Sequence, residues 1–493
     1  MTMKVVILSD IHIGDNSATC WYQKKYHEPY LLKALEYIEK NAAYINEVVL
    51  LGDIFDFWTY PCESKPPSFT DIVNANPNVL GPNGKLKKIA DKVPVTYING
   101  NHDMNVGKDD IARLGKIRYN NGLRYIKDTP GGRVMFTHGS EYTIFNAQDT
   151  TTTLNPLPIG HFVTRALSEY LVKNKLTPNQ TAADLPDNGT PSKMKLLANL
   201  IKGLKDRKSI AKILLDMFAT LPGVSKNTLV YLSNGRKVTF AEAEKIYANL
   251  GTQWIQKYGC FSAIKSAKAD MTGDYIAWWA QRDAIQIDNN ADVAILGHTH
   301  TPKGGLYEAM IKYINCGYMC SPLQKGTFQY PISFGEIDLD SGKFSILCVD
   351  SPNDPPLPHT FPDDSIVYSP NVDFSCYVSL LNGTYFPMDL KESKETHGEF
   401  VVSPPAQISP LQRARFWIQD SIGTFGAEGS ATYLTSSKAG NLKSISFQYG
   451  CPSAANNYCS PVPFRNKSDS GSWKSNTIVN RGHPYFVEFA NEE

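Results

Sequence analysis

At 493 residues the chain exceeds what one ordinary hydrophobic core organises, so two or three domains are expected. Its 42% hydrophobic and 20% charged residues are those of a globular protein, and a net charge of +1 gives no global field to gather nucleic acid or an anionic membrane. No stretch reaches the roughly 18 apolar residues of a membrane span, and the apolar run after Lys4 is too short for a signal peptide, so a cytoplasmic location is expected. Nine cysteines, odd in number and without a CxxC pair, suggest reduced, packed thiols rather than a disulfide framework or a zinc ribbon.

Residues 1 to about 142 alternate strand and helix. Strands are predicted at 5–8, 48–51 and 95–98, with helices at 30–43 and 85–91 between them. Leu31, Leu32, Leu35 and Ile38 give the first helix an apolar face, while Lys33, Glu36, Glu39 and Lys40 keep the other face wet. Such alternation builds a layered α/β domain with helices outside the sheet. From about 143 to 290 strand signal fades and helices are predicted at 162–173, 193–202, 210–221, 240–258 and 273–287. This helical insertion is expected to sit over the sheet's carboxyl edge as a cap, where substrate selection takes place. Arg165, Lys173 and Arg282 read as surface charges with phosphate gripping as the alternative, and the Trp278-Trp279 pair reads as packing.

Strand grammar returns at 293–296, and residues 307–350 close the first domain, 1–350. The proline-rich stretch 351–372 reads as a stiff linker. Short strand candidates at 374–381, 400–403, 415–419, 431–435, 444–449 and 485–489 then suggest a β-sandwich accessory domain over 373–493.

Five apolar runs share one feature: Val5–His12 (VVILSDIH), Val48–Asp56 (VVLLGDIFD), Val95–Asp103 (VTYINGNHD), Val134–Gly139 (VMFTHG) and Val293–His300 (VAILGHTH) each end in Asp, Asn or His. Five buried strands delivering oxygen and nitrogen donors to one sheet edge describe a polynuclear metal site. Asp10 and His12, two apart on an extended segment, point the same way and can chelate one ion. Asp53 offers a carboxylate able to bridge two cations about 3.5–4 Å apart, a spacing suited to in-line displacement at phosphorus. Asn101 adds a neutral carbonyl, and His138, His298 and His300 add imidazoles. A nitrogen and oxygen set without thiolate suits manganese, iron or zinc, with the choice among them open.

Asp10-Ile-His12, Gly52-Asp53-Ile-Phe-Asp56, Gly100-Asn101-His102-Asp103, His138-Gly139 and Gly297-His298-Thr299-His300 resemble the five motifs of the calcineurin-like metallophosphoesterases. The resemblance covers about 1–350 without the insertion. It implies a four-layer α/β/β/α sandwich with two divalent metal ions, one held by Asp10, His12, Asp53 and His300, the other by Asp53, Asn101, His138 and His298. It further implies in-line attack by a metal-bridging hydroxide on a phosphodiester, pyrophosphate or phosphomonoester of a phosphorylated small molecule or nucleotide-like substrate. His102 would bind phosphoryl oxygens or protonate the leaving group, with Asp103 orienting it. Ser9 and Asp56 would lie behind the ligands or serve packing, and Asn315 and Gly317 also fit the family. SDIHIGD and GDIFDFW look most like the branch containing UDP-diacylglucosamine pyrophosphohydrolases, whose cap is much smaller and which has no appended domain, so its lipid substrate is not carried over.

In the C-terminal region the 415–419 segment, GTFGAEGSATYLT and Gly471-Ser472-Trp473 resemble small membrane-lipid-binding β-sandwiches of the aegerolysin type. The alternative function is therefore a membrane- or partner-binding, toxin-like protein in which this domain carries the main activity. His397 and His483 are isolated and read as ordinary histidines.

Overall fold

Strands form where β-branched and leucine side chains run without polar interruption. In the computed structural model, which describes residues 3–189, 194–361, 373–420, 425–436, 440–468 and 471–492, Lys4–Leu8 pairs in parallel with Ile45–Leu51, and Ile45–Leu51 in parallel with Val95–Ile98. Their register sets Leu8 opposite Leu50 and Leu51 opposite Ile98. Neighbours in this register end at nearly one level, so the polar residues after them share one sheet edge. The first sheet runs in the order Leu357–His359, Phe344–Cys348, Ser333–Asp338, Lys4–Leu8, Ile45–Leu51, Val95–Ile98, Ile117–Tyr119. The second runs Lys303–Glu308, Ile311–Asn315, Val293–Leu296, Gly132–Thr137, Arg124–Thr129. Val5–Leu8, Val48–Leu51, Val134–Phe136 and Val293–Leu296 are all buried, which is the core of an α/β sandwich of the four-layer type.

The first helix spans Lys24–Lys40 and buries Leu31, Ala34, Leu35 and Ile38. It begins six residues before its predicted start because Pro29, which reads as a boundary, lies inside it. Part of the predicted linker is also structured: Leu357–His359 pairs antiparallel with Phe344–Cys348 as an edge strand of the first sheet. Residues 362–372 of that linker lie outside the described residues, as do Lys193 and the Gly423-Thr424 start of the GTFGAEGSATYLT stretch.

The insertion is helical, with Gly160–Asn174, Met194–Lys205, Ile210–Phe218, Phe240–Ile246, Leu250–Tyr258, Cys260–Thr272 and Ile276–Ala284, plus a hairpin of Leu229–Tyr231 and Lys237–Thr239. Ser209 and Thr239 cap their helices through their hydroxyls, and Glu242 completes a capping box with Thr239.

The chain divides into two compact units. One comprises Met1–Ile276, Ile295–Leu306 and Tyr313–Asp363; the other comprises Ala277–Ala294, Tyr307–Lys312 and Asp364–Glu493. In the second unit two five-stranded sheets form the C-terminal all-β region. One is ordered Glu399–Val402, Arg413–Gln419, Cys376–Asn382, Tyr485–Asn491, Arg465–Ser468, and the other Gln407–Ile408, Met388–His397, Gly426–Ser436, Leu442–Pro452, Tyr458–Ser460. Aromatic pairs join their inner faces, Phe416 with Tyr449 at 5.7 Å and Phe447 with Phe489 at 5.0 Å. Trp278 belongs here: its ring meets Trp417 at 5.7 Å and its Nε1 donates to Gln419. All nine cysteines are free thiols, and eight are buried. Among the described residues no helix is long and apolar enough to cross a membrane.

Candidate metal centre

At the donor residues the backbone turns into the left-handed region after three of the five strands. Asp10, His12, Asp53, His298 and His300 have φ of 52°, 55°, 50°, 67° and 58°, a region Asp and His enter more readily than β-branched residues. Gly52, at φ 77°, starts the second of these turns, and a Cβ there would lie 2.6 Å from the His138 ring. The turns are tied to each other: His12 N–H donates to the Asp53 carbonyl at 2.9 Å, and Gly297 N–H to the His138 carbonyl at 3.1 Å.

The donor atoms converge. His138 Nε2 is 3.2 Å from Asp53 Oδ2, 3.2 Å from Asn101 Oδ1 and 4.0 Å from Asp10 Oδ1. His12 Nε2 is 3.2 Å from His300 Nε2 and 3.8 Å from Asp53 Oδ2, and His300 Nε2 is 3.3 Å from Asp10 Oδ1. Three triads could each hold an ion, Asp10-His12-His300, Asp53-His138-His298 and His12-Asp56-His102, the first two made wholly of residues singled out as ligands in the sequence. All seven residues singled out as ligands in the sequence thus meet in one place.

Their surroundings fix which atoms face inward. His138 Nδ1 lies 3.0 Å from the Leu51 carbonyl and donates to it, which turns Nε2 toward the carboxylates. Asp53 Oδ1 accepts from the His102 amide at 2.7 Å, leaving Oδ2 toward the imidazoles. Asp10 accepts from the His298 amide and from the Ser9 hydroxyl. Thr143 Oγ1 lies 3.2 Å from His298 Nε2. Asn315 donates to the Gly297 carbonyl and to Thr299 Oγ1 and accepts from Gly317 N–H, bracing the Gly297–His300 turn.

The electrostatics call for positive charge. Asp10, Asp53 and Asp56 are buried, and buried carboxylates are costly unless compensated. Burial is the largest single influence and raises the Asp10 and Asp53 carboxyls, but the charge of His138 together with the other neighbouring imidazoles outweighs it, and both sit below the usual carboxylate range. Conversely, burial lowers His138, but Asp53 and Asp10 overcome it and hold it at about 10. Desolvation and the neighbouring His138 charge lower His298 to about 3. A proton on His138 thus does the work a cation would do there. Two Nε2 atoms facing at 3.2 Å, with carboxylate and amide oxygens around them, are a donor set that fits divalent ions.

His102 is buried beside this cluster, 4.6 Å from His12 between ring centroids, and Trp58 stacks on it at 4.5 Å. Its orientation corrects one expectation. The Asp103 carboxylate accepts from the backbone amides of Asp53, Ile54, Phe55 and Gly100 and pins the Gly52–Asp56 turn. His102 Nδ1 instead lies 3.1 Å from Asp56 Oδ1, while Asp56 Oδ2 is 3.3 Å from His12 Nδ1. Side chains adjacent in a tight turn diverge, and Asp56 returns to His102 from the neighbouring strand end. Burial lowers the His102 pKa, but Asp56 and Asp53 outweigh it and hold it above its ordinary value.

Trp21 escaped sequence reasoning. It lies in the loop after His12, half-buried, with ring centroids 4.8 Å from His12, 5.2 Å from His102 and 5.7 Å from His300. Its only sequence signal is an aromatic residue shortly after the Asp-x-His motif.

Arg165 is fully buried and donates to the carbonyls of Pro61, Cys62, Ser64 and Tyr231, so it is neither a surface charge nor a phosphate grip. Lys173 pairs with Glu169, and Arg282 lies over the Trp279 ring. His397 stacks on Phe425 and His483 on Phe374.

An α/β core whose strand ends carry buried carboxylates, an amide and imidazoles to one edge defines the class of metal-dependent phosphoesterases. The profile of the calcineurin-like phosphoesterases matches residues 3–302, and the chain belongs to that family. Among solved structures it is similar to a dimetal phosphatase from Danio rerio (11% identity, TM-score 0.29, covering 70% of this chain and 96% of that one). It is also similar to Vacuolar Protein Sorting 29 from Cryptosporidium parvum (11%, 0.27, 70% and 90%). A shorter similarity is to the lipid-binding protein Nakanori (13%, 0.18, 24% and 69%). No match was found among curated protein sequences.

Proposed function

We propose that the chain is a dinuclear metal-dependent phosphohydrolase, acting on a phosphodiester or pyrophosphate in preference to a phosphomonoester. The observation that supports it is the convergence of Asp10, His12, Asp53, Asn101, His138 and His300 donor atoms within hydrogen-bonding or ion-pair distance, with His298 completing one triad. Asp10, His12, Asp53 and His300 would hold one ion, and Asp53, Asn101, His138 and His298 the other. Bound there, two divalent cations would supply charge neutralisation for phosphoryl oxygens and a water nucleophile active at neutral pH.

The remaining work falls to the protein. Asp56 keeps His102 protonated at Nδ1 and aims its Nε2 away, where it can donate to a phosphoryl oxygen or to the leaving group. Trp58, buried and stacked on His102, keeps water from one ring face. Hydrolysis of bis(p-nitrophenyl) phosphate with added manganese tests this reading. The wild type is expected to be active and Asp53→Asn inactive; a manganese-loaded wild type without activity toward any phosphoester would end it.

A second reading gives the C-terminal β-region a membrane-binding role. It is favoured by the large exposed side chains Tyr385, Phe425, Phe464 and Trp473. Co-sedimentation of the full chain with phospholipid vesicles is the expected outcome, and a chain that stays in the supernatant rejects it.

A further inference from the structure

Trp21 has no atom suited to hold an ion, yet its ring lies against three residues of the centre. Its ring lies within 6 Å of His12, His102 and His300, which belong to one proposed ion site and to the proposed acid. Asp10, His12, Asp53, Asn101, His102 and His138 are buried, whereas Trp21, His298 and His300 retain exposure and so form the open side of the cluster. A phosphoester reaching His102 therefore passes the indole.

The loop that carries Trp21 is built to hold it still. Its neighbours Cys20 and Tyr22 are fully buried. Thr19 donates to the Thr59 carbonyl, Gln23 donates to the carbonyls of Ser17 and Cys20, and Cys20 Sγ lies 3.4 Å from Tyr60 Oη. Ala182 N–H donates to the Ala18 carbonyl at 2.7 Å. Only the middle residue of Cys20-Trp21-Tyr22 is turned outward, and it is turned toward the site. A planar group held rigid before a ligand arrives loses little entropy when it stacks.

We propose that Trp21 is a specificity-determining wall of the substrate site, stacking on a planar group, aryl or nucleobase, carried on the ester side of the substrate phosphate. This rests on the phosphohydrolase reading and narrows its substrate class to phosphoesters with a flat aromatic portion near phosphorus.

The test is calorimetric binding of four probes to manganese-loaded protein: phenyl phosphate, adenosine 5′-monophosphate, methyl phosphate and orthophosphate. Base–aromatic stacking sets the expectation that Trp21→Ala weakens phenyl phosphate and the nucleotide by about tenfold. Methyl phosphate and orthophosphate are expected to keep their affinities, Trp21→Phe to retain most of the aromatic preference, and manganese content to stay at the wild-type value. Equal weakening of all four probes, or loss of manganese from Trp21→Ala, assigns the indole to packing around His12 and overturns the proposal. So does a wild type that binds phenyl and methyl phosphate equally well. Failure of the loaded wild type to bind any of the four would instead bring down the phosphohydrolase reading itself.

Discussion

His102 Nδ1 lies 3.1 Å from Asp56 Oδ1, and the second oxygen of the same carboxylate lies 3.3 Å from His12 Nδ1. One side chain therefore orients both the proposed acid and a proposed ligand. In Asp56→Asn one of the two imidazole N–H groups faces an amide N–H₂. A loss of roughly 10–100-fold in kcat on bis(p-nitrophenyl) phosphate is expected. The pH profile supplies a second readout. His102 is held above its ordinary pKa by burial-opposing carboxylates, so activity that needs the imidazolium falls as pH rises through that raised value. Removing the Asp56 charge moves the falling limb to lower pH; an unmoved limb would show that another group carries it.

Gly100 is another place at the centre where a side chain cannot fit. A Cβ would meet Asp53 Oδ1 and come within 2.8 Å of Asp53 Cγ and 2.5 Å of its backbone nitrogen. Gly100→Ala is expected to push the Asp53 carboxylate aside, lowering bound manganese per chain and abolishing activity. Metal analysis on the purified variant checks this, and full metal content would refute it.

Arg165 ties the helix Gly160–Asn174 to the loop after Trp58 through three carbonyls and to the strand Leu229–Tyr231 through a fourth. Burial lowers its pKa to about 10, so it stays charged at neutral pH. Arg165→Ala strands those carbonyls, with an expected destabilisation of about 3–5 kcal/mol. Urea unfolding measures it; a change within about 0.5 kcal/mol, ordinary for a surface residue, would mean the clamp is idle.

His27 gives the native state an acid limit. Its Nδ1 accepts from Gln23 N–H at 2.9 Å, and its Nε2 donates to the Ser321 carbonyl at 2.9 Å, so the neutral ring is fully satisfied. Burial lowers its pKa to about 4. The unfolded chain, with an ordinary histidine pKa of about 6.5, binds the proton first. Stability is therefore fully present above about pH 6.5 and declines as pH falls toward 4. Thermal melts between pH 7 and 4 are expected to show this slope, and His27→Gln to reduce it.

Much of the centre was legible because its donors follow apolar runs, a local pattern that survives in one dimension. The Asp56–His102 pairing was not, since it joins two strand ends and chain adjacency favours Asp103. Helix Cys260–Thr272 was missed because Ala, Ser and Lys dilute its apolar stripe, and the break at 247–249 between Phe240–Ile246 and Leu250–Tyr258 was read through. Strand Met388–His397 was missed because most of its side chains are exposed and charged. Trp21 carries no periodicity at all, and only the folded loop reveals what it faces.

Five donor residues hold left-handed backbone, each at a cost of up to about 1–2 kcal/mol in a free peptide. Any bound cations are therefore also the clasp that keeps these loops bent. Chelation is expected to leave a looser rim rather than a rigid empty socket: amide exchange and proteolytic nicking should rise at residues 9–13, 52–56 and 297–301, and re-addition of manganese should silence them again. On this account the protein would report its own metal status through the resilience of one edge.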